Sequence, residues 1–135
     1  MRTRRHIAWS CTTALALLTL LSCFSDRTSV VGPTGDGCTV PAGAIGTDRY
    51  VVFIRDFAFH PATLRVPAGA TVTWVNCESA AIEPHTSTAD DNADDTWDSG
   101  PIPPGESFFR TFTATGTNGY FCRPHPSMIG AIIVD

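Results

Sequence analysis

Residues 119–135 read GYFCRPHPSMIGAIIVD, and the rest of the chain is best read outward from them. Cys122, His125 and Met128 stand three residues apart among prolines, and an apolar run follows them to the end of the sequence. A thiolate, an imidazole and a thioether at that spacing point to a metal. Zinc has little use for a thioether, and its structural sites want four Cys/His ligands. A c-type haem requires Cys-x-x-Cys-His, which the sequence does not contain. Copper alternates between a soft Cu(I) and a harder Cu(II), so it accepts all three donors. Two histidines and one cysteine in a plane, with a weak axial methionine, is the arrangement of blue-copper electron-transfer sites. One histidine is then missing from the set.

The chain has four histidines. His6 belongs to the basic N-terminus. His60, in "FHPA", reads as a solvated turn residue beside a proline. His85, in "ESAAIEPHTST", follows the run containing Trp74 and is the natural fourth ligand.

Upstream of the closing stretch lie short β-prone runs: "RYVVFIRDF", "TLRV", "TVTWVN", "SFFRTFT", "YFC" and "GAIIV". Breaks at "HPA", "PAGA", "SGPIPPGE" and "TGTNG" separate them. Ten prolines and eleven glycines argue against helices. The pattern predicts an all-β fold, a two-sheet Greek-key β-sandwich. Phe57, Leu64, Val66, Val72, Trp74, Phe112 and Ile132 are the expected core. Asn118-Gly119 is a turn-forming pair, so the strand before Cys122 is expected to start late, near Tyr120.

The N-terminus reads as an export signal over residues 1–22: basic "MRTRR", apolar "TTALALLTLL", then "LSC". The apolar stretch is too short to span a bilayer comfortably. Cys23 directly after Leu-Leu-Ser resembles the lipobox of bacterial lipoproteins and predicts lipidation there; a plain signal peptide or an uncleaved anchor is the alternative. Residues 23–46, rich in Ser, Thr, Gly, Asp and Pro, read as a flexible tether, and 47–135 as the folded domain. Removing the signal leaves six arginines against thirteen acids, a net charge of −7, and there is no lysine. Such a chain offers no basic stripe for nucleic acid. The acids concentrate in "DDNADD" (Asp90, Asp91, Asp94, Asp95), which reads as a solvated turn or as a patch steering a basic partner. With Cys11 in the signal, Cys23 lipidated and Cys122 in the ligand set, Cys38 and Cys77 remain. In an exported protein two such cysteines are expected to pair.

The span from about Tyr50 to Asp135 resembles the cupredoxins, small blue-copper β-sandwich proteins of the plastocyanin, pseudoazurin and amicyanin kind. The segments that carry the likeness are "DFAFHPATLRVPAGATVTWVN", "PHTST", "WDSGPIPPGESF" and "YFCRPHPSMIGAIIV". The Cys-x-x-His-x-x-Met spacing is the short one found in amicyanin. The resemblance implies one copper ion, with His85, Cys122 and His125 as equatorial ligands and Met128 axial. It implies supporting roles beside the ligands for Asn76, Pro84 and Thr86, the last standing where many blue-copper proteins have Asn. Pro124, Pro126, Ser127 and Ile129 would ring a near-surface His125 as a docking face. The implied function is a monomeric electron carrier, not an enzyme. It would shuttle between redox proteins such as a cytochrome c, a copper enzyme or a terminal oxidase, at a periplasmic or cell-surface location on a lipid-anchored tether. Catalysis would need further histidine pairs for a second copper centre, and the chain lacks them. The alternative is a copper-binding protein for metal delivery or buffering without a redox role.

Overall fold

The computed structural model describes residues 38–135; the expected signal, Cys23 and most of the tether lie outside them. Eight strands form: β1 (Arg49–Arg55), β2 (Ala58–His60), β3 (Thr63–Val66), β4 (Thr71–Asn76), β5 (Thr88–Ala89), β6 (Ser107–Thr111), β7 (Gly116–Phe121) and β8 (Ile129–Val134). They pair into two four-stranded sheets, ordered β2-β1-β4-β6 and β3-β8-β7-β5. Each sheet holds one parallel pair, β1 with β4 and β3 with β8. The only helical turn among the described residues is the 3-10 turn Ala42–Ala44. The all-β two-sheet expectation holds.

Sequence pattern explains which strand lies where. In β4, "TVTWVN", every residue after Thr71 is buried, the run expected of a strand covered on both faces. Its inward side contributes Val72 and Trp74 to the core between the sheets. Trp74 sits at the centre of an aromatic cluster, with ring centroids 5.5 Å from Tyr120, 5.8 Å from Phe108, 5.9 Å from Trp97 and 6.4 Å from Phe112. The 3-10 turn packs on β1 and β4 and buries Ala44. The domain therefore begins before residue 47. With Cys38 bridged, free swing is expected only upstream of it, and residues 38–46 are held by this packing and by the disulfide. Cys38 and Cys77 are bridged, with Cα atoms 5.1 Å apart, within the usual disulfide range.

Of the expected core, Val66, Val72, Trp74, Phe112 and Ile132 are buried and Leu64 packs against them partly buried. Phe57 is not a core residue, since 48% of it is exposed. Arg55 and Ala58 pair across a two-residue turn whose residues, Asp56 and Phe57, both have positive φ, 53° and 54°. That reversal breaks the strand period, and Phe59 enters the core instead.

The strand before Cys122 also differs from expectation. β7 starts at Gly116 and pairs with β8 along its whole length. Asn118, buried, accepts a 2.7 Å hydrogen bond from the Asp95 amide through Oδ1. A side chain at Gly119 would collide with the Asp90 carboxylate, so the glycine serves close packing and not a turn. Much of the "DDNADD" segment is thus attached to β7. The Asp90 amide donates to Gly119 O at 3.0 Å, Asp94 Oδ2 accepts from the Thr117 amide at 2.7 Å, and Asp95 pairs with Arg110 at 2.6 Å. The Asp95 carboxyl is held below its usual pKa mainly by its bond to Arg110. Asp91 and Asp94 are both exposed, and Asp90 and Asp95 half-buried.

Candidate metal centre

Strands β7 and β8 are joined by residues 122–128, and their ladder closes beside the loop at Phe121 and Ile129. Within the loop the His125 amide donates to Cys122 O (3.2 Å), the Met128 amide to His125 O (2.8 Å), and the Cys122 amide to Met128 O (3.0 Å). A spacing of three therefore produces two successive tight turns, whose first, middle and last residues are the three candidate ligands. Cys122 and Met128 are buried, while His125 is half-buried.

His85 arrives from a different element and is fully buried. Its amide and carbonyl exchange hydrogen bonds with Ile102, at 3.2 and 2.7 Å. Asn76, at the end of β4, fixes that partner: its Nδ2 donates to Ile102 O at 2.8 Å, and its Oδ1 accepts from the Glu78 amide at 3.0 Å. Pro84 is exposed directly before His85, where its ring restricts the backbone entering the buried position.

Three donor atoms meet here. Cys122 Sγ lies 3.5 Å from His85 Nδ1 and 3.7 Å from His125 Nδ1, and the two Nδ1 atoms are 3.2 Å apart. Ligand distances of about 2.0 Å to nitrogen and 2.3 Å to sulfur around one point in a plane require edges of roughly 3.5–3.7 Å. The triangle has nearly that size, and these three residues form a group able to hold a metal ion. His60 is not part of it; it sits in β2 opposite Phe53, half-buried instead of solvated.

Thr86 stitches the two loops together. Its amide points at Cys122 Sγ at 3.4 Å, and its Oγ1 accepts from the Arg123 amide at 2.9 Å. The hydroxyl thus supplies a bond across the two loops. Next along the chain, Ser87 accepts from Trp97 Nε1 at 3.0 Å, tying the His85 segment to the aromatic core.

Two neighbours were not singled out by sequence reasoning. Glu78, nearly buried, places Oε1 3.4 Å from His85 Nε2, an ion-pair distance without hydrogen-bond alignment. The same oxygen accepts the Phe57 amide at 2.8 Å. Burial, then the neighbouring His125, lowers the His85 pKa, with Glu78 opposing. Phe57 stands edge-on to both imidazoles, centroids 5.5 Å from His85 and 5.1 Å from His125. Nothing local in the sequence marks Glu78; for Phe57 the signal was the Asp-Phe pair between two strand runs, a hairpin tip that carries its side chain out of the core. Around the half-buried His125, Pro124, Pro126, Ser127 and Ile129 are all exposed, Ile129 by 68%.

Comparison with known proteins agrees with this geometry. Amicyanin of Paracoccus denitrificans is 29% identical over 123 residues, covering 86% of this chain and 92% of the relative. The structure of a reduced single-site variant of amicyanin superposes with a TM-score of 0.59 at 31% identity, covering 71% of this chain and 86% of that one. A copper-containing nitrite reductase from Thermus scotoductus gives a TM-score of 0.60 at 29% identity, but the match covers 64% of this chain and only 22% of the larger enzyme. Residues 49–135 match the family described as copper binding proteins, plastocyanin/azurin family. With a matching fold and a His-Cys-His group fit for one copper ion, the chain belongs to the plastocyanin/azurin family of blue-copper proteins.

Proposed function

We propose that this protein is a mononuclear electron carrier whose copper is held by His85, Cys122 and His125 in a plane, with Met128 as the weak axial donor. The observation that carries the reading is the triangle of Cys122 Sγ and two Nδ1 atoms, with edges of 3.2–3.7 Å. Bound there, copper supplies a one-electron Cu(I)/Cu(II) couple. The residues around it limit rearrangement. Asn76 and Ile102 fix the backbone of His85, Thr86 holds the two ligand loops together, and the 122–128 turns set the remaining spacing. Burial of Cys122, His85 and Met128 excludes water from the donors. A site enclosed in this way suits electron exchange better than metal delivery, which needs an open site.

Electrons would pass through His125, where the exposed collar of Pro124, Pro126, Ser127 and Ile129 gives a partner a small apolar face. Such contacts suit short-lived docking. The partner class is a redox protein, such as a cytochrome c, a copper enzyme or a terminal oxidase, outside the cytoplasm. The Cys38–Cys77 disulfide fits an oxidising compartment. The proposed arrangement is a monomeric domain tethered to a bacterial membrane through lipidated Cys23, after removal of residues 1–22. His60 stands apart from the triad, so the described residues offer no second histidine pair for a catalytic copper centre.

Copper loading of the full-length protein, followed by visible and EPR spectroscopy, tests the reading. The oxidised protein is expected to show an intense blue thiolate-to-copper band that Cys122→Ser abolishes and His60→Ala leaves unchanged. A Cys122→Ser protein that stays blue refutes the assignment.

A further inference from the structure

The tip of the β1–β2 hairpin carries a residue that its backbone disfavours. Asp56 and Phe57 form a two-residue turn with both φ values positive, the conformation for which Asn-Gly and Asp-Gly are preferred. Aspartate tolerates the left-handed region, but a bulky aromatic there is an outlier. Strain of this kind persists where the surroundings enforce it, and it gathers at functional sites. A glycine would relieve it, and Phe57 does not repay the strain through core burial, since it is 48% exposed.

Its contacts lie with the ligand set. The ring meets His85 and His125 edge-on, with interplanar angles of 89° and 86°. Its amide donates to Glu78 Oε1, the oxygen 3.4 Å from the far nitrogen of His85. One turn residue therefore touches both imidazoles with its side chain and reaches the back of one of them through its backbone. His85 comes from the loop after β4 and His125 from the β7–β8 loop, so Phe57 bridges two independent loops.

We propose that Phe57 is a positioning residue for the metal ligands: from a strained turn, its ring holds the imidazoles of His85 and His125 at fixed tilt. The inference rests on the ligand assignment proposed above. The ring meets both donor-bearing imidazoles edge-on, so its effect on the metal would run through their orientation. Two edge-to-face contacts are together worth about a tenfold change in an equilibrium constant.

The test compares full-length wild type with Phe57→Gly and Phe57→Tyr. Phe57→Gly is expected to hold copper about tenfold less tightly in equilibrium competition with a Cu(I) chelator and to shift the reduction potential. Its metal-free form should melt at the wild-type temperature or above it, because glycine accepts the turn. Phe57→Tyr, which keeps the ring edge, should restore wild-type copper retention and potential. In metal-free protein, imidazole proton resonances of His85 and His125 should broaden or move in Phe57→Gly while those of His60 stay put. Wild-type copper retention and potential in Phe57→Gly overturn the proposal. So does a metal-free melting temperature that falls in parallel with copper retention, which assigns Phe57 to fold support alone. Failure of wild type to take up copper would instead refute the ligand assignment, and the metal-free resonances would still decide whether Phe57 orders the two rings.

Discussion

Removing the Cys38–Cys77 bridge separates the stability of the scaffold from the integrity of the metal site. The bridge closes a loop with a sequence separation of 39 residues. In the chain-entropy model a loop of that size contributes about 4 kcal/mol by restricting the unfolded chain. For a domain of roughly 100 residues, each kcal/mol moves the melting temperature by about 4–8 °C. The Cys38→Ser/Cys77→Ser double variant is therefore expected to melt roughly 15–30 °C lower. The copper spectrum should hardly change. Without the bridge, the Cys77 amide still donates to Ile54 O at 2.8 Å and the Glu78 amide to Asn76 Oδ1 at 3.0 Å. The chain leading from β4 to His85 keeps its own anchors. Calorimetry on metal-free protein, with visible spectra of the copper-loaded form below its transition, reads both quantities. A melting temperature within a few degrees of wild type refutes the entropic argument; a bleached site refutes the claim that those backbone anchors suffice.

Three further outcomes are expected. Met128→Leu should keep copper and raise the reduction potential measured by voltammetry, because the axial donor is weak and stabilises Cu(II) somewhat; loss of copper would count against an axial role. Thr86→Val removes the acceptor of the Arg123 amide while leaving its own amide on Cys122 Sγ. It should cost about 1 kcal/mol in denaturant unfolding and shift the potential, and an unchanged potential would show that the cross-loop bond does not tune the site. Cys23→Ala should release the protein from the membrane fraction or leave the precursor uncleaved; a wild-type protein found wholly soluble, with a mature N-terminus other than Cys23, removes the anchor.

Much of the fold was legible because its signals are local. Alternating apolar runs between Pro/Gly breaks locate most strands, and the unbroken burial of "TVTWVN" follows from its place between β1 and β6, with Val72 and Trp74 in the core and the 3-10 turn packed on the strand. Misreadings arose where tertiary contacts overrode a local rule. Asn118-Gly119 carries turn chemistry, yet both residues are held in β7: Asn118 by the Asp95 amide, Gly119 by the close approach of Asp90. Gly130 in the facing strand shows the same logic, since a side chain there would strike the Tyr120 ring. Residues 38–46 have a linker's composition, yet the bridge and the buried Ala44 hold them to the sandwich, as the expected pairing of Cys38 implies.

The site divides along the same line. Cys122, His125 and Met128, the ligands proposed from one loop, stand out in the sequence because a spacing of three becomes consecutive turns there. His85 was found through the requirement of the chemistry for a second imidazole, though its neighbours in sequence say little. Glu78 and Phe57 were missed because their contacts with the histidines exist only where the β1–β2 hairpin tip, the segment after β4 and the two proposed ligand loops converge. Phe57 was misassigned by the rule that places aromatics in the core, and the correction is informative. A half-exposed phenylalanine in a glycine-favouring conformation is unfavourable both for burial and for the backbone. What offsets those costs on the proposal above is where its ring and amide reach: the imidazoles of His85 and His125, and the carboxylate beside His85.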